Sequence, residues 1–321
     1  MGIDQEDYSV FPLTPILLTR PWGGSRLRQL YSKECPLDEH VGESWEVADR
    51  PSGQSTISAG PLRGAMLGEL WSKRRQIFGS RGLSSSAHRI PVLIKLVDAS
   101  EFLSVQVHPS DAACELLGGE PKTETWLVLD ATVDAFAYVG LRANVDRKEF
   151  ADTVTAGEDI SEFLVRVLVA VGDIIHIPAG QVHALGAGCL VLEIQQNSET
   201  TYRLFDWNRH VEGKPRQLHV DEALASINFG HGRSVLIDSS HTEVEHVTPW
   251  YTVRRLVLNG PRQLQDKDEC AFVMPVNAPL VISGYTLPQG SFALLSPAAP
   301  SASSLTPGTT VIAVGLGSSR Q

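Results

Sequence analysis

The sequence predicts a mainly β protein, built as a sandwich or jelly roll with a few helices and a second, smaller β domain. Three observations indicate this fold class. Short runs rich in Val, Ile, Leu and Thr recur between Gly, Pro, Asp and Asn residues. Strands and helices do not alternate as they do in a parallel α/β protein. After about residue 240 the pattern is almost purely β, which divides residues 1–235 from residues 236–321.

Helical periodicity is confined to a few segments. Apolar residues at helical spacing predict a helix over 65–78 that ends at Gly79. Shorter helices are expected over 146–154 and 221–226, with a helical turn at 159–163. The remaining pattern predicts strands at 92–97, 103–107, 125–130, 135–139, 173–177, 189–195, 201–204, 251–258, 271–275, 279–283, 291–295 and 310–315.

The composition excludes several classes of protein. The 321 residues carry 27 Lys or Arg against 37 Asp or Glu, so an anion must be held by a local positive cluster and nucleic-acid binding is not expected. No apolar run approaches the ~18 residues of a membrane-spanning helix. Residues 1–7 lack the pattern of a signal peptide. The four cysteines form no CxxC pair, which argues against disulfides or a thiolate metal site and favours the cytoplasm.

The most informative segment runs from Gly172 to His183 and reads GDIIHIPAGQVH. A turn and a strand are followed by Pro178, which cannot donate to a ladder, and by Gly180, which permits a positive φ. The chain therefore bends sharply, and His183 begins the next strand, where it can point into the mouth of a barrel. This spacing resembles the second sequence motif of the cupin superfamily, whose double-stranded β-helix barrels hold one metal ion.

Further metal ligands are expected upstream. Side chains alternate along a strand, so Ser104, Gln106 and His108 share one face, and Glu124 follows His108 after 16 residues. A buried polar face needs partners, and a metal ion would supply them. Gln106, His108, Glu124 and His183 together suit Zn²⁺ with one open position, and they also suit Fe²⁺ or Mn²⁺.

The segment from Gln106 to Glu124 departs from the usual first motif of the cupins, and the departure points to one branch of them. Gln106 replaces the first His, and a long loop displaces Glu124. The combination Gln-x-His-Pro, Lys-x-Glu and Pro-x-Gly-x-x-His-Ala resembles the type I mannose-6-phosphate isomerases, above all the short bacterial-type members. Further matches are TRPWGG at 19–24, GESW at 42–45, PVLIKLVDA at 91–99 and SETTYRLFDWNR at 198–209. The resemblance spans about residues 15–230. Two positions depart from the family pattern: Thr123 stands for a Pro, and Glu199 stands for an Asp.

The resemblance implies a cupin fold and a metal-dependent aldose–ketose isomerase. Such an enzyme interconverts mannose 6-phosphate and fructose 6-phosphate through a cis-enediol, with one Zn²⁺ per chain. Lys122 lies on the face of Glu124 and is expected to exchange protons, since a nearby cation favours loss of its own proton. Otherwise Lys122 is a solvated surface residue.

Four more side chains complete the expected site. Arg203 is expected to contact the enediolate or a hydroxyl group, unless it pairs with Glu193 or Asp206. Glu193 is a second candidate base. Lys95 and Ser104 are expected to bind the sugar or its phosphate, unless Lys95 extends to solvent.

Two other functions remain open at this stage. One is an iron-dependent cupin oxygenase with two His ligands and one Glu, against which Gln106 and Lys122 argue. The other is a sugar-phosphate-binding cupin without activity, against which Lys122 and Arg203 argue. The expected partner is a small sugar phosphate, without membrane contact, and the chain is either a monomer or a homodimer.

Overall fold

The computed structural model describes residues 9–37, 39–230, 235–237 and 239–318. Residues 1–7, on which the expected absence of a signal peptide rests, lie outside these ranges. None of the described helices is both long and apolar enough to cross a membrane.

Six α-helices and 25 strands make up the described chain. The helices are α1 (Arg26–Tyr31), α2 (Leu67–Lys73), α3 (Gly79–Ser84), α4 (Asp111–Leu117), α5 (Arg147–Ala156) and α6 (Val220–Ser226), with 3₁₀ turns at Arg75–Phe78 and Ser161–Phe163. The first strands are β1 (Val10–Thr14), β2 (Ile16–Gly24), β3 (Val41–Val47), β4 (Asp49–Arg50), β5 (Gly53–Gln54), β6 (Thr56–Ile57), β7 (Val92–Ala99), β8 (Val105–Val107), β9 (Glu124–Ala131) and β10 (Phe136–Leu141). They are followed by β11 (Leu164–Leu168), β12 (Ile174–Ile177), β13 (His183–Leu185), β14 (Cys189–Gln196), β15 (Tyr202–Phe205), β16 (His210–Val211), β17 (Lys214–Pro215) and β18 (Val235–Ile237). The last strands are β19 (Val244–Val247), β20 (Tyr251–Leu258), β21 (Ala271–Pro275), β22 (Leu280–Ile282), β23 (Tyr285–Leu287), β24 (Ala293–Leu295) and β25 (Thr309–Leu316).

Two antiparallel sheets form the layers that carry the candidate site. One has five strands in the order β11-β10-β13-β8-β15, and the other has seven in the order β18-β12-β9-β14-β7-β2-β3. An apolar core lies between them, with Val139 from the first sheet and Trp126, Ile175 and Val191 from the second. Along the strands of both sheets, every second side chain points toward this core. These apolar side chains bury the inner surfaces of the two sheets, as in a β-sandwich.

The remaining helices and strands cover the outer faces. Phe150 and Val154 of α5 and Ala223 of α6 pack on the outer face of the five-stranded sheet. A third sheet, in the order β19-β20-β25-β21-β24-β1-β6, shares an apolar core with the outer face of the seven-stranded sheet and with α1 and α2. The described chain thus has three sheet layers, and α5 and α6 cover the outer face of the five-stranded sheet.

The N-terminal strand belongs to this third sheet. Val10 on β1 pairs with Leu295 on β24, and Leu13 on β1 pairs with Ile57 on β6. One apolar core contains residues from both ends of the chain, such as Phe11 and Val314. The division into residues 1–235 and 236–321 stays a prediction, and the first part includes a strand that completes the sheet of the second.

The mainly β prediction is confirmed. Each strand that the pattern predicts is present, with its ends displaced by two residues at most. The long helix predicted over 65–78 is wrong as one element, because Arg74 at φ −140° leaves the helical region and separates α2 from a 3₁₀ turn. Strands β1, β2 and β3 were not predicted. The sequence of β2 holds Pro21, Gly23 and Gly24, which weaken a strand pattern.

Candidate metal centre and active site

Three polar side chains lie side by side across the five-stranded sheet. His183 on β13 lies opposite Gln106 on β8, and Gln106 lies opposite Arg203 on β15. The two valines of β8 pack outward beneath the helices. The alternation predicted for this segment therefore directs Gln106 to the inner face, and His108 follows directly after the strand.

The facing seven-stranded sheet supplies charged side chains. Glu124 is the first residue of β9, and Glu193 on β14 lies opposite Lys95 on β7. Trp45 on β3 lies opposite Lys95, whose Nζ is 5.4 Å from the centre of the indole. Lys122 precedes Glu124 by two residues. All four charged residues are buried, which proteins tolerate when such groups are paired or bind a cation.

The predicted bend brings the two histidines together. Gly180 has φ +85°, a backbone conformation that side-chain-bearing residues rarely adopt. Its N–H donates to the carbonyl oxygen of His108 at 2.7 Å, and its carbonyl oxygen accepts from the N–H of Asn228 at 2.9 Å. His183 begins β13 three residues later, and its ring centre lies 4.8 Å from that of His108.

His108, Glu124 and His183 form a compact group of potential metal ligands. One ligand atom from each lies within 4.8 Å of the others. The Nε2 of His108 is 3.3 Å from Oε2 of Glu124, and the Nε2 of His183 is 3.3 Å from Oε1 of the same carboxylate. The two imidazoles therefore approach the carboxylate from two sides through the same ring nitrogen.

Hydrogen bonds behind the rings fix which nitrogen faces the group. The Nδ1 of His108 lies 3.0 Å from the carbonyl oxygen of Thr200, and the Nδ1 of His183 lies 2.8 Å from that of Gln181. A carbonyl oxygen only accepts, so each Nδ1 donates its hydrogen and each Nε2 is the nitrogen that faces the group. Burial, reinforced by Lys122, lowers the pKa of His108 to about 3, so this imidazole is neutral, as a metal ligand must be.

Glu124 is the clearest sign that this group suits a cation. Both carboxylate oxygens are buried, and neither accepts a hydrogen bond of good geometry from the described residues. Burial raises the pKa of Glu124, but the ammonium of Lys122 outweighs it and holds the pKa well below its usual range. A buried carboxylate between two imidazoles is a donor set that suits a divalent metal ion.

Gln106 lies at the edge of the same group. Its amide nitrogen is 3.3 Å from Nε2 of His183, and Ser104 donates its hydroxyl hydrogen to Oε1 of Gln106 at 3.3 Å. The two ends of a side-chain amide exchange places by a half-turn, so Gln106 can also present its oxygen to the group. Ser104 thus contacts Gln106 and orients its amide.

Lys122 connects the potential ligands to a second pair of charges. Its Nζ is 2.8 Å from Oε2 of Glu124, 3.1 Å from Nε2 of His108 and 3.5 Å from Oε1 of Glu193. The same oxygen of Glu193 accepts from Lys95 at 3.1 Å. Burial lowers the pKa of Lys122, but the carboxylates of Glu124 and Glu193 outweigh it and raise the pKa above its usual value. These protein groups act in the direction opposite to a bound cation.

These residues line one side of a cavity of about 430 Å³. Its charged lining consists of Arg20, Lys95, Lys122, Arg203, Arg216, Glu43, Glu193 and Glu199. Cations therefore outnumber carboxylates here, although the whole chain has a net charge of −10. This is the local positive cluster that binding of an anion requires.

Arg203 contributes a guanidinium without a carboxylate partner among the described residues. One terminal nitrogen donates to the carbonyl oxygen of Gln217 at 2.6 Å, and the buried Nε has no partner in the described chain. The ion pair considered as an alternative is absent, since Glu193 pairs with two lysines and Asp206 pairs with Arg216. Burial and the nearby Arg216 lower the pKa of Arg203.

The structure places all nine residues predicted for the site in one region. Six line the cavity: Lys95, Ser104, Gln106, Lys122, Glu193 and Arg203. The other three form the group of potential ligands beside Lys122. Lys95 does not extend to solvent, and Lys122 is not a surface residue. The roles assigned to these side chains stay predictions.

Sequence reasoning missed several residues at the cavity mouth. Arg20 donates twice to the carboxylate of Glu43, at 2.9 Å each, and the indole N–H of Trp45 donates to Glu43 at 2.7 Å. Glu43 and Trp45 are two residues apart on β3, so the period of a strand could have placed both on one face. Glu199, which departs from the family pattern, accepts from Arg50 and Ser52 outside the ligand group.

Comparison with known proteins identifies the family. Residues 10–128 match the family model of the phosphomannose isomerase type I catalytic domain. The chain is 38% identical over 239 residues to a probable mannose-6-phosphate isomerase of Bacillus subtilis, an alignment that covers 73% of this chain and 72% of that protein. It is 34% identical over 251 residues to the mannose-6-phosphate isomerase of Streptococcus mutans, with 76% and 77% covered. The chain belongs to the type I phosphomannose isomerase family.

Solved structures of this family share the fold. The crystal structure of mannose 6-phosphate isomerase from Bacillus subtilis matches with a TM-score of 0.81 and 29% identity, and the match covers 96% of this chain and 99% of that one. A putative mannosephosphate isomerase from Archaeoglobus fulgidus matches with a TM-score of 0.78 at 22% identity, which shows the fold alone. The match to the type I phosphomannose isomerases extends over the third sheet and confirms the predicted cupin fold.

Proposed function

We propose that this chain interconverts mannose 6-phosphate and fructose 6-phosphate through a cis-enediol. Family membership supports the reaction, and one observation carries it: the ligand group of His108, Glu124 and His183 adjoins a buried Lys122–Glu193 pair in a positively charged cavity. Such an isomerisation needs a group to move a proton between C2 and C1, a stabiliser of negative charge on oxygen, and a positive region for the phosphate.

We propose that the ligand group holds one Zn²⁺ through Gln106, His108, Glu124 and His183. The two imidazoles, the buried carboxylate and the amide are nitrogen and oxygen donors that suit this ion. When bound, the ion supplies Lewis-acid stabilisation of negative charge on the sugar oxygens. The backbone carbonyls of Thr200 and Gln181 keep both imidazoles oriented for it.

Lys122 and Glu193 are the proposed proton-exchange groups. The ammonium is a donor and the carboxylate an acceptor, and the two atoms lie 3.5 Å apart on one wall of the cavity. Lys95 holds Glu193 from the other side at 3.1 Å, which limits the rotamers of the carboxylate. The pair thus keeps a proton donor and a proton acceptor next to the metal ligands.

Arg203 is the proposed stabiliser of developing negative charge. It lies next to Gln106 across the sheet, and its Nε has no partner among the described residues, so it can donate to a substrate oxygen without breaking an ion pair. Ser104 and Lys95 are proposed to contact the sugar phosphate as parts of the same lining. The four cysteines are free, which agrees with action in a reducing cytoplasm.

A coupled assay tests this function directly. The metal-loaded chain is expected to form fructose 6-phosphate from mannose 6-phosphate, without consumption of oxygen. Oxygen uptake by the iron-loaded chain, without isomerisation, would instead indicate a cupin oxygenase. A flat assay with zinc, manganese and iron, together with tight binding of mannose 6-phosphate, would contradict the proposal and indicate a binding protein.

A further inference from the structure

A second cavity, larger than the catalytic one, lies on the other side of the five-stranded sheet. It measures about 670 Å³ and is lined by residues 140–145, 147, 165–166, 181–182 and 227–229. Leu141, Val182 and Phe229 of this lining belong to the apolar layer between the sheet and its helices. The two cavities share no lining residue in the part of the chain that the structure describes. A ligand here would therefore occupy a site separate from the catalytic one.

The lining of this second cavity is strongly positive. Among the described residues it contains Arg142, Arg147 and Arg166 and no Asp or Glu. None of the three arginines forms an ion pair with the residues that the structure describes, whereas cations such as Arg50 and Arg254 do. The three arginines are exposed, and together they make this concavity locally positive in a chain with a net charge of −10.

Each guanidinium is held in place by a contact that leaves N–H groups free. The guanidinium carbon of Arg166 lies 3.9 Å from the ring centre of Phe136, and that of Arg147 lies 4.7 Å from the ring centre of Phe229. Arg142 donates its Nε to the carbonyl oxygen of Leu164 at 3.1 Å. These cation–π contacts involve no oxygen acceptor, so N–H groups stay available for the bidentate binding that suits phosphate oxygens.

The rest of the lining is apolar or carries amides. Val145, Val165, Ile227 and Phe229 supply apolar surface, and the side chains of Asn144 and Asn228 supply donors and acceptors. A site of roughly 300–1,000 Å³ with apolar walls and a few polar groups is typical for a small organic ligand. Inorganic phosphate would fill only a part of it.

We propose that this cavity binds a small organic phosphate, whose phosphate contacts Arg142, Arg147 and Arg166 while an apolar or aromatic group covers the valines, Ile227 and Phe229. The site is distinct from the one proposed for the sugar phosphate substrate and does not depend on the reaction. A nucleoside monophosphate has both required parts.

Calorimetric titration of the metal-loaded chain with adenosine 5′-monophosphate tests the proposal. The nucleotide is expected to bind, and adenosine and inorganic phosphate are each expected to bind at least tenfold more weakly. The double variant Arg142→Gln/Arg166→Gln is expected to lose at least tenfold in affinity. The control Arg63→Gln/Lys267→Gln removes two exposed charges outside both cavities and is expected to stay within twofold of the wild type.

Three results would overturn the proposal. The nucleotide fails to bind the wild type, or adenosine or phosphate binds as tightly as the nucleotide, or the double variant binds as well as the control. The last result would place the nucleotide elsewhere, for example in the catalytic cavity. Thermal unfolding checks that both double variants are folded, and this check does not use the isomerase reaction.

Discussion

Lys122 is the residue in which the charges of the catalytic cavity meet. Its ammonium contacts Glu124, His108 and Glu193 within 3.5 Å, and it is almost fully buried. A buried lysine with this many partners is costly to desolvate. Its position beside both the potential ligands and a second carboxylate is the basis of the proposed proton exchange.

We expect Lys122→Met to keep the metal and lose turnover. Methionine keeps the unbranched apolar stem but has no proton to exchange, so kcat should fall by about 10²–10⁴-fold, the usual contribution of a general acid or base. Lys33→Met is the matched control, because Lys33 also forms a buried ion pair, with Glu46 at 2.6 Å, outside this cavity. Metal content and kcat are measured for both variants. An unchanged kcat in Lys122→Met would exclude the proposed role.

Glu43 makes stability depend on pH in a defined direction. Burial raises the pKa of Glu43, but Lys95 and Arg20 outweigh it and lower the pKa to about 2, below the 4.5 of an unperturbed Glu. The folded state therefore binds this proton less readily than the unfolded state. The stabilisation by Glu43 is fully present above about pH 4.5 and is lost as the pH falls toward 2.

Glu43→Gln should accordingly cost less in acid than at neutral pH. We expect the variant to be less stable than the wild type by about 3 kcal/mol at pH 7 and by about 2 kcal/mol at pH 3.5, because one pKa unit corresponds to ~1.4 kcal/mol and the wild-type advantage shrinks below the unfolded pKa. Urea unfolding of both proteins at the two pH values measures the difference in their free energies of unfolding. The contributions of the other titrating groups cancel in this difference. A difference that stays constant over this range would contradict the assigned pKa.

The candidate site was predicted well at the residue scale because its signals are local. Alternation along β8 fixed the face of Gln106, and the spacing from Gly172 to His183 fixed the bend. The Arg20–Glu43 pair was not predicted, since it joins strands β2 and β3 and a single sequence gives no register between strands. The free guanidinium of Arg203 depends likewise on which acids pair elsewhere.

At the scale of elements, the bend between β12 and β13 positions the candidate ligands. The backbone of Gly180 is hydrogen-bonded to the backbones of His108 and Asn228, and His183 lies three residues further along the chain. Strand β8 shows that alternation predicts the face of a side chain only where the strand has formed. Strict alternation from residue 103 would place Leu103 on the face of Val105, but Leu103 packs in the inner core because β8 begins only at Val105.

Gly180→Ala tests the role of this bend. An alanine at φ +85° would be strained, and its Cβ would lie 3.2 Å from the carbonyl oxygen of Ser226. Gly157→Ala is the control, because Gly157 also has a positive φ, of +71°, but has open space around the added methyl. Both variants should lose about 1–2 kcal/mol of stability.

Only Gly180→Ala should also weaken metal binding, by roughly tenfold or more, since it displaces groups behind the ligands. Competition with a chromogenic chelator measures the affinity of each variant for zinc. Equal affinities in both variants and the wild type would show that the bend does not control the ligand geometry.

The whole molecule is joined by contacts between the two ends of the chain. β1 pairs with β24 although 285 positions separate Val10 from Leu295, and one core contains both Phe11 and Val314. Such a pairing leaves no local trace in the sequence, which is why composition alone suggested a simple division near residue 235. The β character of the third sheet could be predicted, and its N-terminal strand could not.

Removal of residues 236–321 should therefore not leave an independently folded unit. The truncated chain loses the partner of β1 and exposes Phe11, Leu70 and Trp71, which pack in the shared core. We expect this fragment to aggregate or to lack a cooperative thermal transition, whereas the full chain should unfold in one transition that includes both parts. A soluble fragment that unfolds cooperatively and binds zinc as the full chain does would support two independent domains instead.

The most direct measurement is a titration of the metal-depleted chain with zinc, with isomerisation of mannose 6-phosphate followed at each step. If Gln106, His108, Glu124 and His183 hold the ion that the reaction needs, activity is absent without metal and rises linearly until one zinc per chain is bound. His183→Ala should bind zinc at least tenfold more weakly and stay inactive over the same range. Full activity in the metal-free chain, or in His183→Ala without bound zinc, would contradict the account.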